Sequence, residues 1–254
     1  MAKLEGKIAI VTGGAGGIGS GIVKSYAKEH AKVVIADIAE EKGRLLSETL
    51  NNQGYETLFI KTDLTNKDSL QACVDTTIVN YGKIDILVNN AHASRMNSFL
   101  DITEEDLNLS LNTGFYATFY LCQMVIPYLK ETKGNIINFG SGAAIKGDKN
   151  QGAYVVAKEA IRGITRVIAN EFGEFGEFGI NANIISPIAY SEGVNQWRKD
   201  NPEYYEKVVQ GIPLQKFGDV EKDIGPVAVF LGSEDAQYIT GQTVMVDGGS
   251  IKLY

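Results

Sequence analysis

Short, nearly unbroken apolar runs alternate with longer helical stretches along this whole chain, and that alternation restricts its fold more than any other feature. The runs fall at residues 7–12, 32–36, 57–61, 84–89, 135–139, 180–185 and 243–247, and include AIVT, VVIA, DILVN, NIINF and NANII. Strands of that texture have both faces covered, as parallel strands do when helices cross over above and below them. Helical patterns occupy 17–29, 40–52, 67–80, 104–130 and 151–172. The expectation is one α/β domain over residues 1–254, its seven strands forming a doubly wound parallel sheet with helices on both faces. Ligands of such sheets bind beyond the carboxyl ends of the strands, so the residues that leave each strand are the ones to inspect.

Charge and composition remove several classes of function. With 31 acidic and 24 basic residues the formal net charge is −7 and no basic stripe reverses it, so nucleic acid is not an expected partner. No stretch approaches the roughly 18 apolar residues of a membrane span, and the first apolar run, 8–11, is too short for an export signal. Cys73 and Cys122 form no CxxC pair and fall in helical stretches, which suits reduced, buried thiols and a cytoplasmic setting. No metal site is expected. A tandem triplet, Glu-Phe-Gly, fills 171–179 and reads as a lengthened surface loop.

Directly after the first strand stands Thr12-Gly13-Gly14-Ala15-Gly16-Gly17-Ile18-Gly19, opening a helix. Glycine lets the backbone turn tightly and approach a pyrophosphate, while the helix N-terminus offers unpaired N–H groups and a partial positive charge. Asp37 closes the second strand. A carboxylate there accepts hydrogen bonds from an adenosine ribose and repels a 2′-phosphate, and Ile38 rather than a cation follows it. The cofactor expected is NAD(H) in preference to NADP(H).

Tyr154 and Lys158 stand four apart and share a helix face. With 12 tyrosines in the chain, chance alone gives about one YxxxK pair, so position must carry the case. Ser141 leaves the fifth strand 13 residues earlier. The three groups are therefore expected at the strand ends where a nicotinamide would lie. An ordinary phenol titrates near 10, so a tyrosine acting near neutrality needs stabilisation of its anion by roughly 4 kcal/mol.

These motifs, together with Thr62-Asp63-Leu64, Asn89-Asn90-Ala91, Asn112 and Val246-Asp247-Gly248-Gly249, resemble the short-chain dehydrogenase/reductase family over essentially the whole chain. The resemblance implies a Rossmann-like fold and hydride transfer between a secondary alcohol and a ketone. It implies that Tyr154 protonates the carbonyl oxygen, that Ser141 hydrogen-bonds it, that Lys158 also holds the nicotinamide ribose, and that Asn112 keeps a water in a proton relay. Around the cofactor it sets Gly13, Gly17, Ile18, Gly19, Asp37, Ile38, Asp63, Leu64, Asn90, Ala91, Pro187, Ile188 and Ser191, besides Tyr154 and Lys158. Asn89 and Asn90 have an alternative reading as groups that only satisfy the sheet edge. A homotetramer is also implied, with 104–130 and 151–172 at one helical interface and the C-terminus at another.

Two departures stand out. The family's NNAG is Asn89-Asn90-Ala91-His92 here, and its Pro-Gly after the sixth strand is Pro187-Ile188, with Glu192 where threonine is common. His92 is a candidate substrate contact or a steric filler. Residues 189–212 correspond to a segment that covers the substrate, and its Tyr190 and Trp197 are candidate substrate contacts; aromatics there equally suit packing against the body. The small-molecule partner is a secondary alcohol or ketone, with hydroxysteroids, sugars and polyols as classes. The alternatives are a 3-oxoacyl-thioester reductase and a nucleotide-binding regulator without turnover.

Overall fold

Successive side chains of a strand point to opposite faces, and here both faces are packed. The computed structural model describes residues 2–173 and 179–253, so the centre of the triplet repeat lies outside the described residues. In β1 (Ile8–Thr12), Ala9 and Val11 enter one hydrophobic cluster and Ile10 enters the other. In β2 (Lys32–Asp37), Val33 and Ile35 join the first, and Val34 and Ala36 the second. Two cores of this kind explain why the runs are apolar without alternation.

The remaining strands are β3 (Thr57–Lys61), β4 (Ile86–Asn89), β5 (Asn135–Phe139), β6 (Asn181–Pro187), β7 (Ala189–Tyr190), β8 (Gly218–Asp219) and β9 (Thr243–Val246). Seven of the strands make one sheet in the order β3-β2-β1-β4-β5-β6-β9, with every pairing parallel. This is the Rossmann-like, doubly wound architecture that the alternation predicts. On one face lie α1 (Gly17–Lys28) and α2 (Glu40–Asn52); on the other lies α3 (Lys67–Tyr81). Strand order reverses between β1 and β4, which opens the crevice where a dinucleotide binds in such sheets.

The helix expected at 104–130 is a composite. A capping box starts α4 (Glu104–Ser110): the Asp106 N–H donates to Thr103 Oγ1 at 3.2 Å, and the Thr103 N–H donates to Asp106 Oδ2 at 3.0 Å. Residues Leu111–Tyr116 then widen into a π-helical turn before α5 (Ala117–Thr132) continues to the left-handed Lys133. Turns of this type inside α-helices frequently mark functional sites. Next come α6 (Gly142–Lys146), α7 (Gly152–Phe172), α8 (Glu192–Asp200), α9 (Pro202–Gln210) and α10 (Gly225–Gly232). The parallel pair β7-β8 was not anticipated; it ties the segment after β6 to residues 218–219.

Cys73 and Cys122 are buried and unpaired, and burial pushes their thiols up to about 11 and about 12. They are inert packing groups. Among the described residues no helix is long and apolar enough to cross a membrane.

Candidate active site

The loop from β1 into α1 is built for close backbone approach. A Cβ on Gly19 would stand 2.1 Å from the Gly13 carbonyl oxygen, and Gly13 itself adopts φ +64°. The N-cap of α1 is Gly16, with no side chain closing the helix, so its first N–H groups face outward for an anion. Asp37 fixes this loop from the end of β2: Oδ2 accepts from the Ala15 N–H and Oδ1 from the Ala39 N–H, each at 2.9 Å. Asn90 fixes it from β4, its Nδ2 donating to the Thr12 carbonyl at 2.9 Å. Gly19→Ala is expected to destabilise the protein by about 1–3 kcal/mol through overpacking and to weaken dinucleotide binding. Thermal melts with and without cofactor measure both effects.

Asn89 does other work. Its Nδ2 donates to Asn138 Oδ1 at 2.9 Å and Asn138 Nδ2 donates to Thr165 Oγ1 at 2.8 Å, a buried chain that stitches β4 and β5 to α7. Asp63 accepts from the Thr65 N–H and hydroxyl at 2.9 and 2.7 Å, holding the turn after β3.

Tyr154 and Lys158 are both carried by the first turns of α7, and Ser141 is the N-cap of α6. Lys158 is 5% exposed and donates to the Phe139 carbonyl at the end of β5 at 2.9 Å. Burial lowers it to about 7. Its Nζ lies 5.7 Å from the Tyr154 ring centroid. The Tyr154 phenol is pushed above its ordinary value by burial, and a hydrogen bond from Ser141 works against that rise. The Ser141 oxygen accepts from the Ala143 N–H at 3.2 Å, which leaves the hydroxyl proton for the phenol oxygen. By itself the chain therefore holds Tyr154 protonated, with Ser141 and Lys158 in its neighbourhood.

Next to Ser141 opens a cavity of about 1330 Å3. Its walls come from Met96 after β4, Pro187 and Ile188 after β6, Val194 and Trp197 of α8, Phe217, and Ile251 near the C-terminus. Lys149 and Lys207 stand on it as well, exposed and without an ion-pair partner among the described residues.

A family model described as enoyl-(acyl carrier protein) reductase matches residues 13–250. A 12alpha-hydroxysteroid dehydrogenase of a Clostridium species is 41% identical over 98% of each chain. The chain belongs to the short-chain dehydrogenase/reductase family. A 3-oxoacyl-[acyl-carrier-protein] reductase of Chlamydia pneumoniae is 35% identical over 97% of each chain. Among solved structures, a putative short-chain alcohol dehydrogenase from Sinorhizobium meliloti superposes with a TM-score of 0.91 at 27% identity, over 98% of this chain and 97% of the other. Membership makes this short-chain dehydrogenase/reductase an oxidoreductase that acts on CH–OH groups with a nicotinamide cofactor.

Ser110 and Gly114, four apart, face the catalytic helix: the Ser110 hydroxyl donates to the Ala153 carbonyl at 2.9 Å, and Gly114 abuts His92. Asn112 lies midway between them and so turns the opposite way. It lines a separate cavity of about 180 Å3 with Leu64, Thr65, Lys67, Tyr116 and Tyr120. Its side chain therefore lines a different cavity from the one beside Ser141. His92 stacks on Tyr154, ring centroids 5.0 Å apart and planes 10° from parallel.

Of the candidate substrate contacts, Trp197 lines the main cavity. Tyr190 does not; its hydroxyl hydrogen-bonds Asn195 Oδ1 at 2.8 Å. Ser191 accepts from the Val194 N–H at 3.3 Å as the N-cap of α8, and its Cβ lies 3.8 Å from where a Cβ on Gly17 would be. The 189–212 segment thus reaches the glycine loop. Met96, Phe217 and Ile251 were missed from sequence, because no motif distinguishes an apolar wall residue from a core residue.

Proposed function

We propose that this enzyme is an NAD(H)-dependent dehydrogenase of a bulky, mainly apolar secondary alcohol, a hydroxysteroid being the class it fits best, with Tyr154 as general acid and base. The observation that carries the reading is the junction of a buried phenol, bonded by Ser141, with a wide cavity walled by Ile188, Trp197, Phe217 and Ile251. Apolar walls with few converging polar groups suit a ring scaffold better than a polyol. The relative named for 12alpha-hydroxysteroids supports the same class.

The residues present fit a dinucleotide: the glycine cradle and the uncapped α1 N-terminus receive a pyrophosphate, with Ile18, Asp63, Leu64, Asn90 and Ala91 around it. When bound, the nicotinamide supplies or accepts the hydride. In reduction, Tyr154 donates its proton to the carbonyl oxygen, and Ser141 donates a hydrogen bond to that same oxygen. Lys158, held on the Phe139 carbonyl, sets the potential beneath the phenol and holds the cofactor's ribose. Pro187, Ile188 and Ser191 close the nicotinamide end. Asp37 supports NAD(H) over NADP(H): its charge is met by two backbone N–H groups and by no side-chain cation among the described residues, so a 2′-phosphate meets repulsion.

Residues 189–212 act as the cover of the substrate, since Val194, Trp197, Val208 and Ile212 all come from it. A homotetramer is supported by apolar groups left outward on the interface helices, Val156 and Val167 at 52% and 50% exposure. The two buried, unpaired thiols suit a cytoplasmic location.

The test follows reduced nicotinamide with hydroxysteroids, small secondary alcohols, polyols and a 3-hydroxyacyl thioester, each with NAD and NADP. Turnover of a hydroxysteroid with a higher kcat/KM for NAD is expected. Preference for the thioester with NADP(H) sinks the reading in favour of the acyl reductase, and absence of turnover with every alcohol favours a binding regulator.

A further inference from the structure

His92 has no part in the mechanism so far, yet its ring stacks on that of Tyr154. Its backbone is pinned on both sides. The Ala91 N–H donates to Thr12 Oγ1 at 3.2 Å, and the Ala93 N–H donates to Thr113 Oγ1 of the π-helical turn at 3.0 Å. These ties fix the stretch of backbone from which the ring reaches the phenol.

Two observations show what the imidazole does there. The first is steric. A Cβ on Gly114 would meet His92 Nε2 at 2.9 Å and Cδ2 at 3.0 Å. Position 114 is glycine because the imidazole fills the volume its side chain would take, and the imidazole fits because position 114 is glycine. Position 114 therefore sends no side chain into the space beside Tyr154, and Asn112 lines a separate cavity.

The second observation fixes the tautomer. The Ser110 hydroxyl has one proton, which it donates to the Ala153 carbonyl, so towards His92 it can only accept. His92 Nε2, 2.9 Å away, carries the hydrogen, and Nδ1 is left with a lone pair. That Nδ1 is buried and has no hydrogen-bond partner among the described residues. A buried acceptor left unmatched costs about 1–3 kcal/mol, so a built site of this kind calls for a donor. Burial and the nearby Lys158 charge hold the imidazole down at about 3, so it stays neutral and an acceptor throughout the neutral range.

We propose that His92 is a positioning residue for Tyr154, stacking on the phenol ring while its Nδ1 accepts a hydrogen bond from a water in the proton path. The inference deepens the proposed activity and rests on it. It assigns a role to the one motif position where this chain replaces glycine with a titratable side chain, and it explains the glycine that faces it 22 residues later.

Three variants separate the roles. His92→Phe keeps the stack and the volume but removes the acceptor. His92→Gly removes both. His92→Gly combined with Gly114→Asn exchanges the two sizes and returns an amide acceptor to the same space. For the alcohol that the unaltered enzyme oxidises, His92→Phe is expected to lower kcat about tenfold or more, with cofactor KM within about twofold, and to move the pH profile of kcat. The double variant is expected to exceed His92→Gly by about tenfold. Wild-type kcat and pH profile in His92→Phe would show a packing group only and overturn the proposal, as would a double variant no better than His92→Gly. A readout independent of turnover is 15N NMR, simple to assign in a chain with two histidines. It should show His92 protonated on Nε2 alone from about pH 8 to about pH 5; an Nδ1–H tautomer or an imidazolium in that range overturns the proposal. If the unaltered enzyme oxidises no alcohol, the proposed function fails, and the NMR result still decides the tautomer.

Discussion

Tyr154→Phe should abolish nearly all turnover while leaving the protein folded and able to bind its cofactor. Positioned acid–base groups contribute about 10²–10⁴ in rate, and the chain offers no second proton donor in the same place. His92 is neutral and cannot donate from its Nδ1, Lys158 is bonded to the Phe139 carbonyl, and Ser141 serves the phenol it would have to replace. Phenylalanine preserves the stack with His92, whose ring planes lie 10° apart, so the packing of α7 is retained. The expected pattern is a fall in kcat by about 10²-fold or more with KM for the nicotinamide cofactor nearly unchanged and little change in melting temperature. A kcat within about tenfold of the unaltered enzyme would mean that the proton comes from elsewhere.

That prediction rests on residues whose grouping was largely legible in the sequence, and the reason is physical. A parallel sheet writes itself as apolar runs, because each strand must satisfy two cores at once, as Val33 and Val34 do on opposite faces of β2. Its binding crevice follows from strand order. The loop at Gly13 to Gly19 was legible because backbone approach admits few alternatives to glycine. The position of Asp37 at a strand end beside that loop was legible too, and there its carboxylate accepts from the Ala15 and Ala39 N–H groups.

What escaped was set by side-chain direction and by pairs distant in sequence. Read as a regular helix, 104–130 gave no sign of the π-helical turn at Leu111–Tyr116, nor that the asparagine within it lines a second cavity. His92 was visible as a departure, but its meaning depended on Gly114 and Ser110, which neither spacing nor periodicity connects to it. Tyr190 looked like a pocket aromatic because sequence shows its ring but not its hydroxyl, which is bonded to Asn195. The cavity walls escaped for the same reason: Met96 follows β4, Phe217 precedes β8 and Ile251 follows β9, and only the folded chain brings the three to one cavity.

Replacing Lys158 should expose a cost that the fold bears for its chemistry. Burial takes the ammonium from 10.5 to about 7, and at 1.36 kcal/mol per unit that difference is about 5 kcal/mol. The sign follows from proton binding. Below about pH 7 the lysine is charged in both folded and unfolded chains, and the full burial penalty weighs on the fold. Between about 7 and 10.5 the unfolded chain binds the proton and the folded one does not, so stability of the cofactor-free enzyme rises with pH. Lys158→Met removes the charge at similar length and leaves the Phe139 carbonyl without its partner, a loss of about 1–3 kcal/mol. At pH 6 the variant should therefore be more stable by about 2 kcal/mol or more, a gain of about 4–8 °C in Tm for a chain of this size. Near pH 9 the remaining penalty is about 2 kcal/mol, comparable to the lost hydrogen bond, and the two melting curves should nearly coincide. Thermal melts at the two pH values, with turnover measured alongside, check both halves: a variant that is inactive yet more stable at pH 6 is expected. A variant that melts lower than the unaltered enzyme at pH 6 would show that the buried ammonium is stabilised in the resting protein, and that its charge is available to Tyr154 before any cofactor binds.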